Sequence, residues 1–319
     1  MSVVQTITGP TVLADIGGTN ARFALLADGK VGPIDHLVAR DYERFTDALG
    51  TYLKQQGGKV PGAVLAVAGV VENGRCALTN SPWVIDAAEL TKVFGFTTVT
   101  LVNDFAALAW SLPRLTGDGV RMLPGGTARV GSPMVVLGPG TGFGVAAYVP
   151  VAAGGLVLTT EAGHATLAGA STRDDAAIAL MRKAFGHVSA ERVLSGPGLE
   201  NLYRALSAID GVKAPVRAAS EITRDGLSGA CPICREAVDM FCGFLGQVAG
   251  DVALSFSAHG GVFVAGGITA HVADHLPLSP FRARFEGKGR MRDFVARIPV
   301  SLVMTDRATF LGLQALAER

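Results

Sequence analysis

Asp104 follows the apolar, β-branched run TVTLVN and precedes the helical pattern FAALAW. A carboxylate at the C-terminal end of a buried strand, facing a helix N-terminus, lies where ligand chemistry collects in α/β sheets. It can accept a proton from a hydroxyl whose oxygen attacks a terminal phosphate. It can equally be a helix N-cap, a very common use of Asp, and position alone favours the cap. Glu161 and His164 follow an uncharged stretch in TEAGHATLA, and Glu191 lies in SAERVLSGPG. Carboxylates and an imidazole supply the paired acceptors and donors that a polyol requires. Single acidic residues are more often solvated surface, and a lone histidine more often structural, so the residues alone leave both accounts open.

Two glycine turns could hold phosphates. Ala14, Asp15, Ile16, Gly17, Gly18 and Thr19 leave a strand and turn on two glycines before Asn20-Ala21-Arg22 returns. Such a turn aims backbone N–H groups at one point with no side chain in the way. Asp15 can hold Mg²⁺ through water, because Mg²⁺ keeps several of its waters, and Thr19 adds a hydroxyl. GPGTGFG, Gly138 to Gly144, repeats the device with Gly140, Thr141 and Gly142 at its tip. An ordinary hairpin would use the glycines of either turn in the same way. Gly266 and Gly267 directly follow the buried pattern GVFVA, where an adenine or ribose could lie flat on backbone; a diglycine also simply ends a strand. No G-x-x-x-x-G-K-[ST] occurs, and Phe143 stands where G-x-G-x-x-G needs its last glycine, so neither the P-loop nor the dinucleotide fingerprint is present. The protein-kinase motifs are missing as well.

The elements that must position these residues read as two similar series. Thr11 to Ile16, Arg22 to Leu26, Ala63 to Ala68 and Thr97 to Val102 have strand character, with helical spacing over Asp86 to Phe94 and from Phe105 to a stop at Pro113. After a glycine-rich linker, Thr116 to Gly126, strands are expected at Met134 to Leu137, Val145 to Val149 and Gly261 to Ala265. Helices are expected around Asp174 to Phe185, Gly198 to Ala208 and Arg235 to Ala258. The last places Val238, Phe241, Leu245, Val248 and Val252 on one face, the mark of a core-packed helix. Each half opens with strand, glycine turn, strand and then acquires helices, which points to two related α/β halves with a cleft between them.

Composition narrows the classes. A chain of 319 residues is long enough for two domains. With 49% hydrophobic and 17% charged residues it is not a disordered composition. A net charge of +1 without a Lys/Arg cluster gives no nucleic-acid or anionic-membrane footprint. Residues 130–160 carry no charge and are long enough to span a bilayer, but seven glycines and three prolines interrupt them, so buried strands are expected there. The N-terminus lacks the basic n-region of a secretory signal, and four cysteines do not make a disulfide scaffold; a reduced, cytoplasmic setting is the expectation.

The ordered series DIGGTNAR, LVNDFAA, GPGTGFGVA, TEAGHATLA, SAERVLSGPGLENLYRA and GGVFVAGGI resembles the bacterial glucokinase family, within the sugar kinase, actin and chaperone-ATPase superfamily. The likeness runs from the first strand to near the C-terminus, and SAERVLSGPG is far more specific than the glycine loops. It implies two actin-like (ribonuclease H-like) α/β domains that close over sugar and ATP. A small N-terminal domain, 1–114, would be rejoined by the C-terminal helix 305–319, with a large domain over 115–304. The resemblance turns Asp104 from a cap into the catalytic base and gives Asn103 a neighbouring sugar hydroxyl. It assigns Glu161, His164 and Glu191 to the sugar end remote from the attacking oxygen. Ala14, Asp15, Ile16, Gly17, Gly18, Thr19, Gly140, Thr141, Gly142, Gly266 and Gly267 would hold ATP, with Mg²⁺ bound through ATP and water beside Asp15 and no directly liganded metal. A homodimer is the family's common state.

Glucose phosphorylation on the 6-hydroxyl is thus the leading expectation, and another hexose or an N-acetylated amino sugar the alternative. A sugar-sensing regulator would normally bring a helix-turn-helix segment, for which the sequence before the first strand leaves no room. Cys231-Pro-Ile-Cys234 looks like half a zinc site, but no second CxxC completes it, so buried thiols at the start of a core helix are expected. Trp83 in TNSPW borders the sugar by resemblance, or is an aromatic core anchor.

Overall fold

Val12, Leu13 and Ala14 have no polar side chain and no exposed surface, and they lie in a strand buried on both faces, β1 (Thr11–Ile16). The computed structural model describes residues 9–57, 59–78, 81–152 and 154–319. The chain separates into two compact units, one running through Thr116 together with Thr305–Arg319, the other Gly117–Met304.

In the first unit β1 is followed by β2 (Asn20–Ala27), β3 (Lys30–Val31), β4 (Asp35–Val38), α1 (Phe45–Gln56) and β5 (Gly62–Val67). A small two-stranded sheet, β6 (Arg75–Ala77) and β7 (Val84–Asp86), precedes α2 (Ala87–Phe94), β8 (Thr98–Asn103) and α3 (Asp104–Ser111). The main sheet has the order β3-β2-β1-β5-β8, with β4 also on β2. β1 and β2 form an antiparallel hairpin, whereas β1, β5 and β8 run parallel. Parallel strands bring their C-terminal ends to one edge. The register Asp15↔Ala66 and Ala66↔Val102 therefore puts Asp15 two strands, roughly 10 Å, from the end of β8.

The second unit contains β9 (Val120–Met122), β10 (Met134–Pro139), β11 (Phe143–Val149), β12 (Leu156–Thr160), α4 (Thr172–Phe185), α5 (Gly196–Ile209), α6 (Ala219–Leu227), α7 (Pro232–Phe256), β13 (Gly261–Val264), α8 (Gly267–Val272), α9 (Phe281–Glu286), α10 (Arg292–Ala296) and β14 (Val300–Val303). Its sheet order is β12-β11-β10-β13-β14-β9, again an antiparallel hairpin beside parallel strands. The uncharged stretch 130–160 supplies β10, β11 and β12. Helix α7 is long and apolar enough to cross a membrane by length and composition, yet most of it is buried within the unit, with Val238, Phe241, Leu245 and Val252 in the core.

The chain ends in α11 (Ala308–Ala317), which belongs to the first unit. Phe310 and Leu313 pack with Leu13, Val64, Ala66 and Ala107, so α3 and α11 cover one sheet face while a cluster around Phe23, Phe45, Tyr52 and Trp83 covers the other. Burial of Phe310 contributes about 2–3 kcal/mol and fixes the helix that begins at Asp104.

The segment Thr116 to Gly126 begins at the boundary between the two units but is not linker throughout. It contains β9, paired with β14 at the sheet edge, and a side chain at Gly126 would overlap the Arg297 carbonyl. Counting glycines concealed a short strand and a close backbone packing.

Candidate active site

Helix α3 is capped by Asn103, not by Asp104. The Asn103 Oδ1 accepts from the N–H groups of Phe105 (2.9 Å) and Ala106 (3.3 Å), and its Nδ2 donates to the Gly69 carbonyl at 3.2 Å. Asn103 thereby ties the end of β8 to the chain just past β5, and its second amide hydrogen has no partner among the described residues. Asp104 is left half-buried at the first helical position, its Oδ1 accepting from Phe105 N–H at 2.9 Å. Burial, and secondarily the Asp15 carboxylate, push its carboxyl up to about 6, while the backbone donors and Asn103 oppose the rise. A carboxylate ionised at neutral pH but only just is suited to accept a proton.

Asp15 faces Arg22 across the β1–β2 hairpin. Arg22 grips Asp15 Oδ2 through Nε (3.1 Å) and through its terminal nitrogen, while its other nitrogen donates to the Asp306 carbonyl at 2.9 Å. The guanidinium also lies 5.6 Å from the Phe310 ring centre. The other carboxylate oxygen, Oδ1, has no hydrogen-bond or ion-pair partner among the described residues. At the hairpin tip Gly17 N–H bonds to Asn20 O, but the N–H groups of Gly18 and Thr19 have no hydrogen-bond partner among the described residues. Ala14 and Ile16 are fully buried, so only their backbone can face a ligand.

The second unit repeats the pattern. Gly140 N–H closes the GPGTGFG turn onto Gly142 O at 2.8 Å, and the N–H groups of Thr141 and Gly142 have no partner among the described residues. Glu191 braces this turn: its Oε2 accepts from Phe143 N–H at 2.9 Å. The Glu191 N–H donates to Gly163 O, also at 2.9 Å. Gly163 lies between Glu161 and His164 and packs so closely on Phe143 that a Cβ there would overlap the Phe143 carbonyl oxygen. Glu161, His164, Glu191 and the glycine turn are therefore brought together, with the Glu161 and His164 side chains 67% and 61% exposed and 3.9 Å apart. Helix α5 abuts the same turn, Gly196 N–H donating to Gly140 O at 3.0 Å, and its cap Ser195 donates to the Glu191 carbonyl. Gly266 and Gly267 are exposed, Gly266 as the N-cap of α8 and Gly267 as its first residue.

Sequence reasoning missed Arg22 as the partner of Asp15 and the Phe143 amide as the partner of Glu191. Hairpin register could have found the first, since Arg22 must stand opposite Asp15 once the turn is Gly17 to Thr19. No local signal reports the second.

Trp83 is a core anchor, 2% exposed, its indole N–H donating to Tyr42 O and its ring edge-on to Phe45. Thr79 and Asn80 of the same motif lie outside the described residues. The Cys231 sulfur caps α7, accepting from Cys234 N–H at 3.3 Å, and burial pushes the Cys234 thiol up to about 12. Among the described residues, no group of three or more His, Cys, Asp or Glu side chains is arranged to hold a metal ion.

The family model described as Glucokinase matches residues 12–319. The glucokinase of Paramagnetospirillum magneticum is 45% identical over 310 residues, covering 96% of each chain. A solved glucokinase structure from an Antarctic psychrotroph superposes with a TM-score of 0.87 at 36% identity, covering 97% of this chain and 98% of that one. A ROK family glucokinase from Streptomyces griseus, solved with glucose and AMPPNP, shares the fold at a TM-score of 0.64 and 18% identity, over 97% and 99% of the chains. With nearly its whole length matched by that family model and by a relative of this identity, the chain belongs to the glucokinase family.

Proposed function

We propose that this protein transfers the γ-phosphoryl group of MgATP to the 6-hydroxyl of glucose, giving glucose 6-phosphate and ADP. The observation that carries the reading is the division of labour at the end of β8: Asn103 caps α3, so the Asp104 carboxylate is not needed as the cap and is half-buried, with its carboxyl pushed up to about 6. In this reading Asp104 accepts the proton of the 6-hydroxyl as its oxygen attacks phosphorus, and the remaining Asn103 amide hydrogen donates to a neighbouring hydroxyl. Glu161, His164 and Glu191 hold the sugar's remote end. The N–H groups of Gly18, Thr19, Thr141 and Gly142, which have no partner among the described residues, receive phosphate oxygens, Asp15 Oδ1 would hold magnesium through water, and the exposed Gly266-Gly267 backbone receives the nucleoside. When bound with ATP, magnesium would supply positive charge against the transferred group. Family membership and the ligands of the Streptomyces griseus neighbour support the choice of sugar and nucleotide. A homodimer in the cytoplasm is part of the proposal, on family resemblance.

The test is a coupled assay of ADP release with MgATP and a panel of glucose, mannose, fructose and N-acetylglucosamine. Turnover with glucose at the highest kcat/KM supports the assignment. Absence of turnover with glucose, or preference for the amino sugar, refutes it.

A further inference from the structure

Glu191 is connected in more directions than a sugar ligand requires. Its Oε2 holds the Phe143 N–H at the end of the phosphate turn, at 2.9 Å. A Cβ on Gly142 would lie only 2.5 Å from that same oxygen, so the turn and the carboxylate touch with nothing between them. Its backbone N–H holds Gly163, centred in the turn that carries Glu161 and His164, and its carbonyl receives the hydroxyl of Ser195, whose neighbour Gly196 donates to Gly140. Glu191 Oε1 is engaged by no side chain or backbone group among the described residues. One carboxylate thus has an oxygen committed to the nucleotide turn and an oxygen open to a hydroxyl donor.

We infer that Glu191 is a positioning residue that couples the two substrates, so that sugar bound at its Oε1 tightens nucleotide binding at the turn held by its Oε2. This rests on the proposed glucokinase reading. Two physical effects act in the same direction. A negative carboxylate against the phosphate turn opposes the phosphates, and a hydroxyl donating to Oε1 disperses that charge. The same hydroxyl fixes the side chain, which fixes Phe143 and therefore the turn, so nucleotide has less ordering left to do. By linkage, nucleotide must tighten sugar binding by an equal factor.

Calorimetric titration with the magnesium complex of β,γ-imido-ATP, with and without saturating glucose, tests this. In the wild-type protein glucose should tighten the analogue by roughly fivefold or more. In Glu191→Gln the amide oxygen can still accept from Phe143 while the charge is gone. The analogue should bind more tightly than to wild type without sugar, and glucose should change its affinity less than about twofold. Analogue affinity in sugar-free Glu191→Gln equal to wild type, or wild-type affinity indifferent to glucose, overturns the inference. A wild-type protein that binds neither ligand refutes the glucokinase reading itself. A second measurement needs no variant: in protein labelled with ¹⁵N-phenylalanine, the Phe143 amide resonance should shift on adding glucose alone. A stationary Phe143 signal at saturating glucose overturns the coupling.

Discussion

Arg22 holds Asp15 through a single carboxylate oxygen, and the same guanidinium reaches the Asp306 carbonyl and the Phe310 ring. The chain's last helix is therefore fastened to the first glycine turn, and the positive charge sits beside the carboxylate that raises Asp104. Replacing Arg22 with Met removes that charge and leaves Asp15 unpaired. The acid limb of kcat/KM should move to higher pH, so that activity falls more at pH 6 than at pH 8. An unmoved acid limb would show that Arg22 serves only packing.

The wild-type protein should lose activity in acid as Asp104 takes up its proton. Below about pH 6, kcat/KM should fall towards tenfold per pH unit. The associated stability term has the opposite direction in pH. Below 3.8 the folded and unfolded chains both carry the proton, and no penalty for burying the charge applies. As pH rises, the unfolded chain releases its proton first and the folded state loses stability until its own carboxyl ionises near 6. Asp104→Asn should therefore be more stable than wild type at pH 7.5, by on the order of 2 kcal/mol, with the gain vanishing near pH 4. Urea titrations at the two pH values measure this; a destabilised Asn variant at pH 7.5 would mean that the charge is favoured by its surroundings.

Glu161 and His164 are exposed and adjacent, ready to meet a ligand but adding little to the core. A site built around particular hydroxyls rejects a sugar that moves them. Fructose should have a kcat/KM at least about 100-fold below glucose, and Glu161→Gln should raise KM for glucose roughly tenfold with a smaller change in kcat. Efficient turnover of fructose by wild type would remove the role given to this turn.

Cys231 caps a helix through sulfur, a task that serine performs well. Cys231→Ser should keep stability within about 0.5 kcal/mol and full activity, and purified protein should contain no stoichiometric zinc. Zinc lost together with activity in this variant would identify the CxxC as a metal site.

Much of the framework that carries the candidate site is legible in the sequence because its signals are local. Strand β1, the glycine turn and Asp104 at a strand-to-helix junction follow from periodicity and turn chemistry, and α7 from its apolar face. The choice between cap and base at Asp104 was not local in the same way. Asn103 and Asp104 are both good caps, and only the backbone, which places Asn103 in the extended conformation and Asp104 in the helix, separates them. The bracing of Phe143 by Glu191 joins residues 48 positions apart, and no periodicity carries that information. β9 and β14 were hidden because each is short and its partner distant.

The role of Asp104 can be tested most directly by single-turnover phosphoryl transfer in Asp104→Ala, alongside calorimetric glucose binding to the same protein. General-base catalysis contributes roughly 10²–10⁴-fold, so the variant should bind glucose detectably and transfer phosphate at least about 100-fold more slowly than wild type. Transfer at a near wild-type rate, with glucose bound, would contradict the assignment of Asp104 as the base.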